Sequence, residues 1–247
     1  DLHYPPRRQR QMCIRDSVQG TINVLEAART SNISKFVYAA SSSCYGICNK
    51  RTTEKEKINP QYPYALSKNL GEKTALHWHK VYNLPVNSVR IFNAYGPRVR
   101  TSGVYGAVFG VFFKQKLKKK PLTIIGNGKQ SRDFIYVTDV AQAFLKSATT
   151  SHKGEIFNLG NDKPQSINKL AKLIGGKIVF IPDRPGEPNK TWANTNKIKK
   201  MLKWKPKIKF EEGVKLMLNQ IDLWETAPLW SPKSIKLATK TWFKYLR

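Results

Sequence analysis

Tyr64-Ala-Leu-Ser-Lys68 sets a phenol and an ammonium four residues apart in a stretch that reads as a helix. Residues at that spacing share one helical face, so the two groups point the same way. A neighbouring ammonium favours phenolate over phenol and lowers a pKa that starts near ~10, which suits Tyr64 to general-base work at neutral pH. The spacing alone equally describes an ordinary amphipathic helix. Its surroundings carry the argument further.

The helix must begin after Pro63 and run through Leu66, Leu70, Ala75 and Leu76 toward Val81. Upstream, Lys35-Phe-Val-Tyr-Ala-Ala-Ser-Ser-Ser-Cys-Tyr-Gly46 is an apolar run ending in three serines, the pattern of a buried parallel strand with hydroxyls at its carboxyl end. Downstream, Val86 to Pro97 reads as a second strand ending in Asn93 and a turn. Strand, helix and strand make one βαβ unit, and open α/β sheets bind ligands at the carboxyl ends of their strands.

Six pieces in order resemble the extended short-chain dehydrogenase/reductases, specifically the nucleotide-sugar epimerases and dehydratases. They are Tyr38-Ala-Ala-Ser-Ser-Ser-Cys-Tyr-Gly46, Pro63-Tyr-Ala-Leu-Ser-Lys68, Arg90-Ile-Phe-Asn-Ala-Tyr-Gly-Pro-Arg98, Ser131-Arg-Asp-Phe-Ile-Tyr-Val-Thr-Asp139, Phe157-Asn-Leu-Gly160 and Arg184-Pro-Gly-Glu187. The resemblance runs from about residue 18 to the C-terminus. It implies an α/β fold: a partial Rossmann-like, doubly wound parallel sheet lacking its first strands, with a smaller C-terminal substrate-binding lobe.

The resemblance also implies roles. Tyr64, as phenolate, takes the proton of a sugar hydroxyl while hydride leaves the same carbon for NAD, which is regenerated each turnover. Lys68 holds the phenolate charge and bonds the nicotinamide ribose, and Ser41 hydrogen-bonds the reacting oxygen. Ala40, Ser41, Tyr64, Lys68 and Ile91 would line the cofactor. Ser43, Asn93, Ala107, Val108, Thr123, Ile125, Arg132, Arg184 and Glu187 would line the nucleotide sugar, with the two arginines and Asn93 on its diphosphate. An arginine fork suits a diphosphate; without the resemblance, Arg132 reads as a surface charge beside a turn.

In the family's 4,6-dehydratases an Asp-Glu pair follows the residue matched by Ser41. Ser42 and Ser43 stand there instead, with no carboxyl to supply the acid and base for loss of the 6-hydroxyl. This favours a UDP-hexose 4-epimerase over a 4,6-dehydratase or another NAD(P)-dependent keto-sugar oxidoreductase. A non-enzymatic basic binding protein is the reading from another class; retention of Ser41, Tyr64 and Lys68 together argues against it.

The 247 residues suffice for one core plus a smaller lobe. Residues 1–17 show no apolar period and read as a non-native prefix. The sequence then divides into a partial NAD-binding domain at 18–97, a substrate lobe interleaved with returning Rossmann elements at 98–227, and a helical extension at 228–247. No Gly-x-Gly-x-x-Gly follows a strand before the serines, and the glycines at 103–110 lack a preceding strand. The chain therefore reads as a fragment, expected to hold NAD weakly and to be inactive alone.

Leu122 to Val137 reads as a hairpin around Gly126-Asn-Gly128. Thr138-Asp139 reads as the N-terminal signal of a helix from Val140 to Ser147, with Asp139 a cap rather than a catalytic acid. Further helices are expected at 166–174 with Ser166 as cap, at 194–202, at 210–224 and after Ser231-Pro232. A strand is expected at 177–181. Trp242, Phe243 and Leu246 would give the last helix an apolar face.

The 44 lysines and arginines against 16 acids leave a formal charge of +28. The lysines are scattered and no nucleic-acid module accompanies them, so no specific nucleic acid is expected, though low salt favours non-specific polyanion binding. Cys44-x-x-x-Cys48 has no second ligand pair, and the four histidines show no ligand spacing, so no metal is expected. No run suits a membrane span or signal peptide, and the expected setting is cytoplasmic. The resemblance allows a homodimer of a full-length protein.

Overall fold

In a computed structural model, which describes residues 15–99, 108–183, 187–238 and 240, the chain enters through a π-helical turn, Arg15–Gln19. That turn runs directly into α1, Gly20–Thr30, so helical structure begins inside the stretch set apart as a prefix. Then come β1, Phe36–Ser41, and the long α2, Pro63–Tyr82. Proline at its first position lacks only an N–H that no helix end uses, and left-handed Asn83 stops it. β2, Val86–Ile91, returns parallel to β1.

After β2 the chain alternates between the sheet and a second lobe. The later elements are β3 (Asn93–Tyr95), α3 (Val108–Leu117), β4 (Leu122–Ile125), β5 (Ser131–Arg132), β6 (Phe134–Tyr136), α4 (Val137–Thr149), β7 (Glu155–Leu159), β8 (Gln165–Ser166), α5 (Ile167–Ile174), β9 (Ile178–Ile181), α6 (Asn196–Leu202), α7 (Phe210–Leu218) and α8 (Pro232–Ala238). The central sheet has the order β1-β2-β7, all parallel. In register, Ser41 stands beside Ile91, and Ile91 beside Leu159, so three strands end along one rim. This is the mixed α/β, Rossmann-like arrangement expected, with sites at the carboxyl rim.

The core has one part for each layer. Leu25, Ala28, Tyr38, Ala75 and Val86 seal α1 and α2 against β1 and β2. Val89, Phe157, Leu159 and Trp204 fill the opposite side of the sheet beneath α4 and α6. The second lobe is built around Tyr95, Phe109, Phe112, Phe113, Phe134, Phe210 and Trp224. Tyr95 stacks on Phe109 at 4.6 Å between ring centroids and meets Phe134 edge-on, geometries that add to area burial.

Several local expectations change. The 122–137 stretch is not a hairpin. β4 pairs in parallel with β9, β5 antiparallel with β8, and β6 in parallel with β3. Gly126, at φ +62°, turns the chain beside the Asp183 carboxylate instead of folding β4 back on itself. The helix expected from Val140 begins at Val137, and Asp139 does not cap it. Its carboxylate accepts the backbone N–H groups of Lys207 and Ile208, each at 3.0 Å. The 210–224 stretch splits into α7 and a 3-10 turn, Ile221–Trp224. Asn93 belongs to β3, in a separate sheet from β2.

Other expectations hold. Ser166 Oγ accepts the Lys169 N–H at 3.1 Å, capping α5. Ser231 Oγ accepts the Ser234 N–H at 3.2 Å ahead of Pro232. Trp242, Phe243 and Leu246 lie outside the described residues. No described helix is long and apolar enough to cross a membrane.

Candidate active site

Ser41 closes β1 in extended conformation, and the chain then tightens into a 3-10 turn, Ser42–Tyr45. Ser41 Oγ accepts the Ser43 N–H at 3.3 Å and the Ser43 hydroxyl at 2.8 Å. With its oxygen accepting both, the Ser41 proton is left to be donated elsewhere. The structure thus joins the two expected serines in one hydrogen-bonded pair at the rim.

Tyr64 is the second residue of α2, 38% exposed, its ring stacked on Tyr62 at 6.5 Å and 10°. Lys68 follows one turn later and is half-buried. Its Nζ lies 5.3 Å from the centroid of the Tyr38 ring on β1, a cation–π contact. The Tyr38 hydroxyl donates to the Lys68 carbonyl at 3.4 Å. Burial pushes the Tyr38 phenol up to about 12. Of the two tyrosines, Tyr38 therefore stays protonated, and Tyr64 is the more exposed.

α2 rests on a buried polar network that the sequence reading missed. Glu72 lies one turn beyond Lys68. Its carboxylate accepts Arg90 Nη2 at 2.5 Å and Nε at 3.0 and 3.1 Å, and the Ser88 hydroxyl at 2.7 Å. The two side chains are 3% and 5% exposed. Burial works against the Arg90 charge, but Glu72 more than offsets it and raises the guanidinium pKa. Arg90 Nη1 also donates to the Tyr45 hydroxyl at 2.7 Å and to the Glu54 carbonyl at 3.2 Å. Tyr45 in turn donates to Asn158 Oδ1 at 2.7 Å. A charged residue in the otherwise buried strand Val86–Ile91 was the available signal, because buried arginines are nearly always paired.

Across the rim, Arg132 is only 13% exposed in its side chain, and burial lowers its pKa. Its Nη2 donates to Glu187 Oε2 at 3.4 Å. Arg132 is also within electrostatic range of Tyr62, so the second lobe abuts the start of α2. Asn93 Oδ1 accepts the Thr191 hydroxyl at 2.7 Å. Behind them, Asp133 is fully buried and takes the N–H groups of Asn161, Asp162 and Ala193. Burial pushes its carboxyl up to about 6.

The remaining expected residues are more scattered. Ala40 is buried within β1, and Ile91 ends β2 beside Ser41. Val108 opens α3, and Ile125 ends β4, half-buried. Thr123 turns inward, its hydroxyl accepting Gln115 Nε2 at 2.8 Å. Ala107 and Arg184 lie outside the described residues, as do the glycines at 103–106. Among the described residues, no three His, Cys, Asp or Glu side chains come together as a metal site. Cys44 and Cys48 are free thiols, and burial pushes the Cys44 thiol up to about 12.

A family model described as "NAD dependent epimerase/dehydratase family" matches residues 7–160. A putative UDP-glucose 4-epimerase from Methanocaldococcus jannaschii is 38% identical over 211 residues, covering 82% of this chain and 68% of that protein. UDP-glucuronic acid decarboxylase 4 from Arabidopsis thaliana is 32% identical over 217 residues, covering 83% and 48%. Among solved structures, UDP-glucuronic acid 4-epimerase from Bacillus cereus, in complex with UDP-glucuronic acid and NAD, superimposes with a TM-score of 0.78 at 29% identity. That match covers 85% of this chain and 68% of the other. The chain spans 64 to 68% of the length of the first curated relatives it matches.

Proposed function

The chain belongs to the NAD-dependent epimerase/dehydratase family, and from that membership we propose that it carries the catalytic and substrate-binding parts of a UDP-sugar 4-epimerase. The observation that carries this reading is the rim itself. Ser41 ends β1, Tyr64 and Lys68 lie in the opening turns of the helix packed on that strand, and Ser42 and Ser43 stand where the resemblance gives a dehydratase its acid and base.

NAD is the cofactor of the family. An ammonium, an exposed phenol and a serine hydroxyl at one rim, beside small Ala40 and apolar Ile91, fit a nicotinamide riboside with its ribose hydroxyls and flat ring. Lys68 would hold those hydroxyls, and NAD when bound would accept the hydride from the sugar and return it. The chain's own residues do the proton work. Tyr64 Oη takes the proton of the 4-hydroxyl and later gives it back, a step worth about 10²–10⁴-fold for a positioned base. Lys68 favours the phenolate. Ser41 donates to the reacting oxygen and orients it. Arg132, with Arg184 as the second proposed cation, would grip the diphosphate, and Asn93 would share that contact.

The decarboxylase relative keeps a second reading within the same family. The test is to assay the 247-residue chain with NAD, alone and with a relative's dinucleotide-binding segment joined ahead of it. Substrates are UDP-glucose, UDP-N-acetylglucosamine and UDP-glucuronic acid in deuterated water. The 4-epimer without net NADH and without solvent deuterium on carbon is expected. A 6-deoxy-4-keto product carrying solvent deuterium at carbon 5 would indicate a dehydratase, and release of carbon dioxide a decarboxylase. Stabilisation of the chain by duplex DNA but not by UDP or UDP-sugars would instead indicate a basic binding protein.

A further inference from the structure

The buried pair under α2 sits too close to the reacting groups to be only a strut. Tyr64, Lys68 and Glu72 follow one another at four-residue intervals along α2, so Glu72 lies about 6 Å from Lys68 and about 12 Å from Tyr64 along the helix. A carboxylate there, left alone, would draw on the same ammonium that is to stabilise the Tyr64 phenolate. It is not left alone. Arg90 covers both carboxylate oxygens through Nε and Nη2, and Ser88 adds a third donor.

We propose that Arg90 is a positioning residue that neutralises Glu72, so that Glu72 does not oppose the effect of the Lys68 charge on Tyr64. The proposal rests on the reading of Tyr64 as the base, but it concerns the charge felt by that phenol and not the identity of the sugar.

Other charged and titratable groups also surround α2. Tyr38 faces it from β1 and stays protonated. Cys44 and Tyr45 face it from the 3-10 turn, with burial holding both protons on. Glu54 is nearby on the loop before α2, and its side chain is engaged by the Asn158 N–H. Tyr62 stacks on Tyr64 from the helix entry, and Arg132 lies beyond it, paired with Glu187. Glu26 of α1 pairs with Arg29 and accepts the Trp78 indole N–H near the far end of α2. Removing either Glu72 or Arg90 would therefore add an uncompensated charge one turn from Lys68.

A strut and a charge shield give different signs. Arg90→Gln exposes the Glu72 charge and should move the Tyr64 titration midpoint up by about one pH unit; at 12 Å and an effective dielectric near ~20 the coupling has that size. Glu72→Gln exposes the Arg90 charge and should move it down by a similar amount. The double variant Glu72→Gln/Arg90→Gln and the conservative Arg90→Lys should both return it close to the parent value. A purely structural role would move both single variants the same way.

The experiment follows the Tyr64 Cζ resonance of ¹³C-tyrosine-labelled protein against pH, assigned by its disappearance in Tyr64→Phe. It needs no turnover, so an inactive chain leaves it intact. If Arg90→Gln does not fold, Glu72→Gln and Arg90→Lys still decide. Shifts of opposite sign that cancel in the double variant support the proposal. Shifts of the same sign, or a Tyr64 midpoint unmoved in Glu72→Gln, overturn it.

Discussion

Arg132 on β5 reaches Glu187, 55 residues further on, at 3.4 Å across the mouth of the second lobe. The contact is long for an ion pair of this type, and Arg132 keeps further donors for another acceptor. A diphosphate competing for the same fork would replace one partial partner by several full charges.

Arg132→Ala should therefore weaken UDP binding by about 1.5–3 kcal/mol, the scale of a lost charge-assisted hydrogen bond. Arg184→Ala should act in the same direction. Calorimetric titration with UDP alone suffices, because the sugar contributes nothing to either contact. Unchanged UDP affinity in both variants would remove the second lobe from substrate binding.

Tyr64→Phe should lower turnover of the NAD-loaded protein by roughly 10²-fold or more while leaving UDP-sugar affinity nearly unchanged. The ring keeps its stacking on Tyr62 and loses only the oxygen. Steady-state turnover paired with equilibrium binding separates the two effects. Near-normal turnover would take Tyr64 out of the mechanism.

Asp133 makes stability depend on pH. Burial raises its folded-state pKa from 3.8 to about 6, so the folded protein holds the proton more tightly than the unfolded chain. Its contribution is fully present below about pH 4 and is lost as pH rises through about 6. The difference amounts to about 3 kcal/mol. Urea unfolding between pH 4 and 7 should show this decline in the parent relative to Asp133→Asn, which has no titration there. Parallel curves for the two proteins would contradict it.

Gly71 marks the closest approach of α2 to its neighbours. A Cβ there would lie 2.1 Å from the Tyr38 hydroxyl and 2.3 Å from the Ser17 carbonyl oxygen. Gly71→Ala should cost about 1–3 kcal/mol by overpacking. Tyr38→Phe in the same chain should recover part of that loss by removing the clashing oxygen. Additive effects of the two substitutions in thermal unfolding would show that α2 does not rest on Tyr38.

The local motifs were legible because their geometry is local. Four residues in a helix fix the shared face of Tyr64 and Lys68. An apolar run ending in serines fixes a strand with Ser41 at its end, and a serine three residues before Lys169 suffices to cap α5. The sequence by itself therefore determined the βαβ unit, the candidate base and its lysine, and the family resemblance.

What only the tertiary structure decided involves partners distant in the chain. Gly126-Asn-Gly128 carries every local sign of a hairpin, yet β4 finds its neighbour in β9, more than fifty residues away. Asp139 looks like a cap, yet its acceptors are used by amides of Lys207 and Ile208, and backbone amides leave no trace in residue type. Glu72 and Arg90 stand 18 residues apart, and only the packing of β2 under α2 closes the fork between them. Helix and strand periods act over a few residues. The choice among pairings is made by burial of the whole chain, where a carboxylate without a partner costs more than any local preference returns.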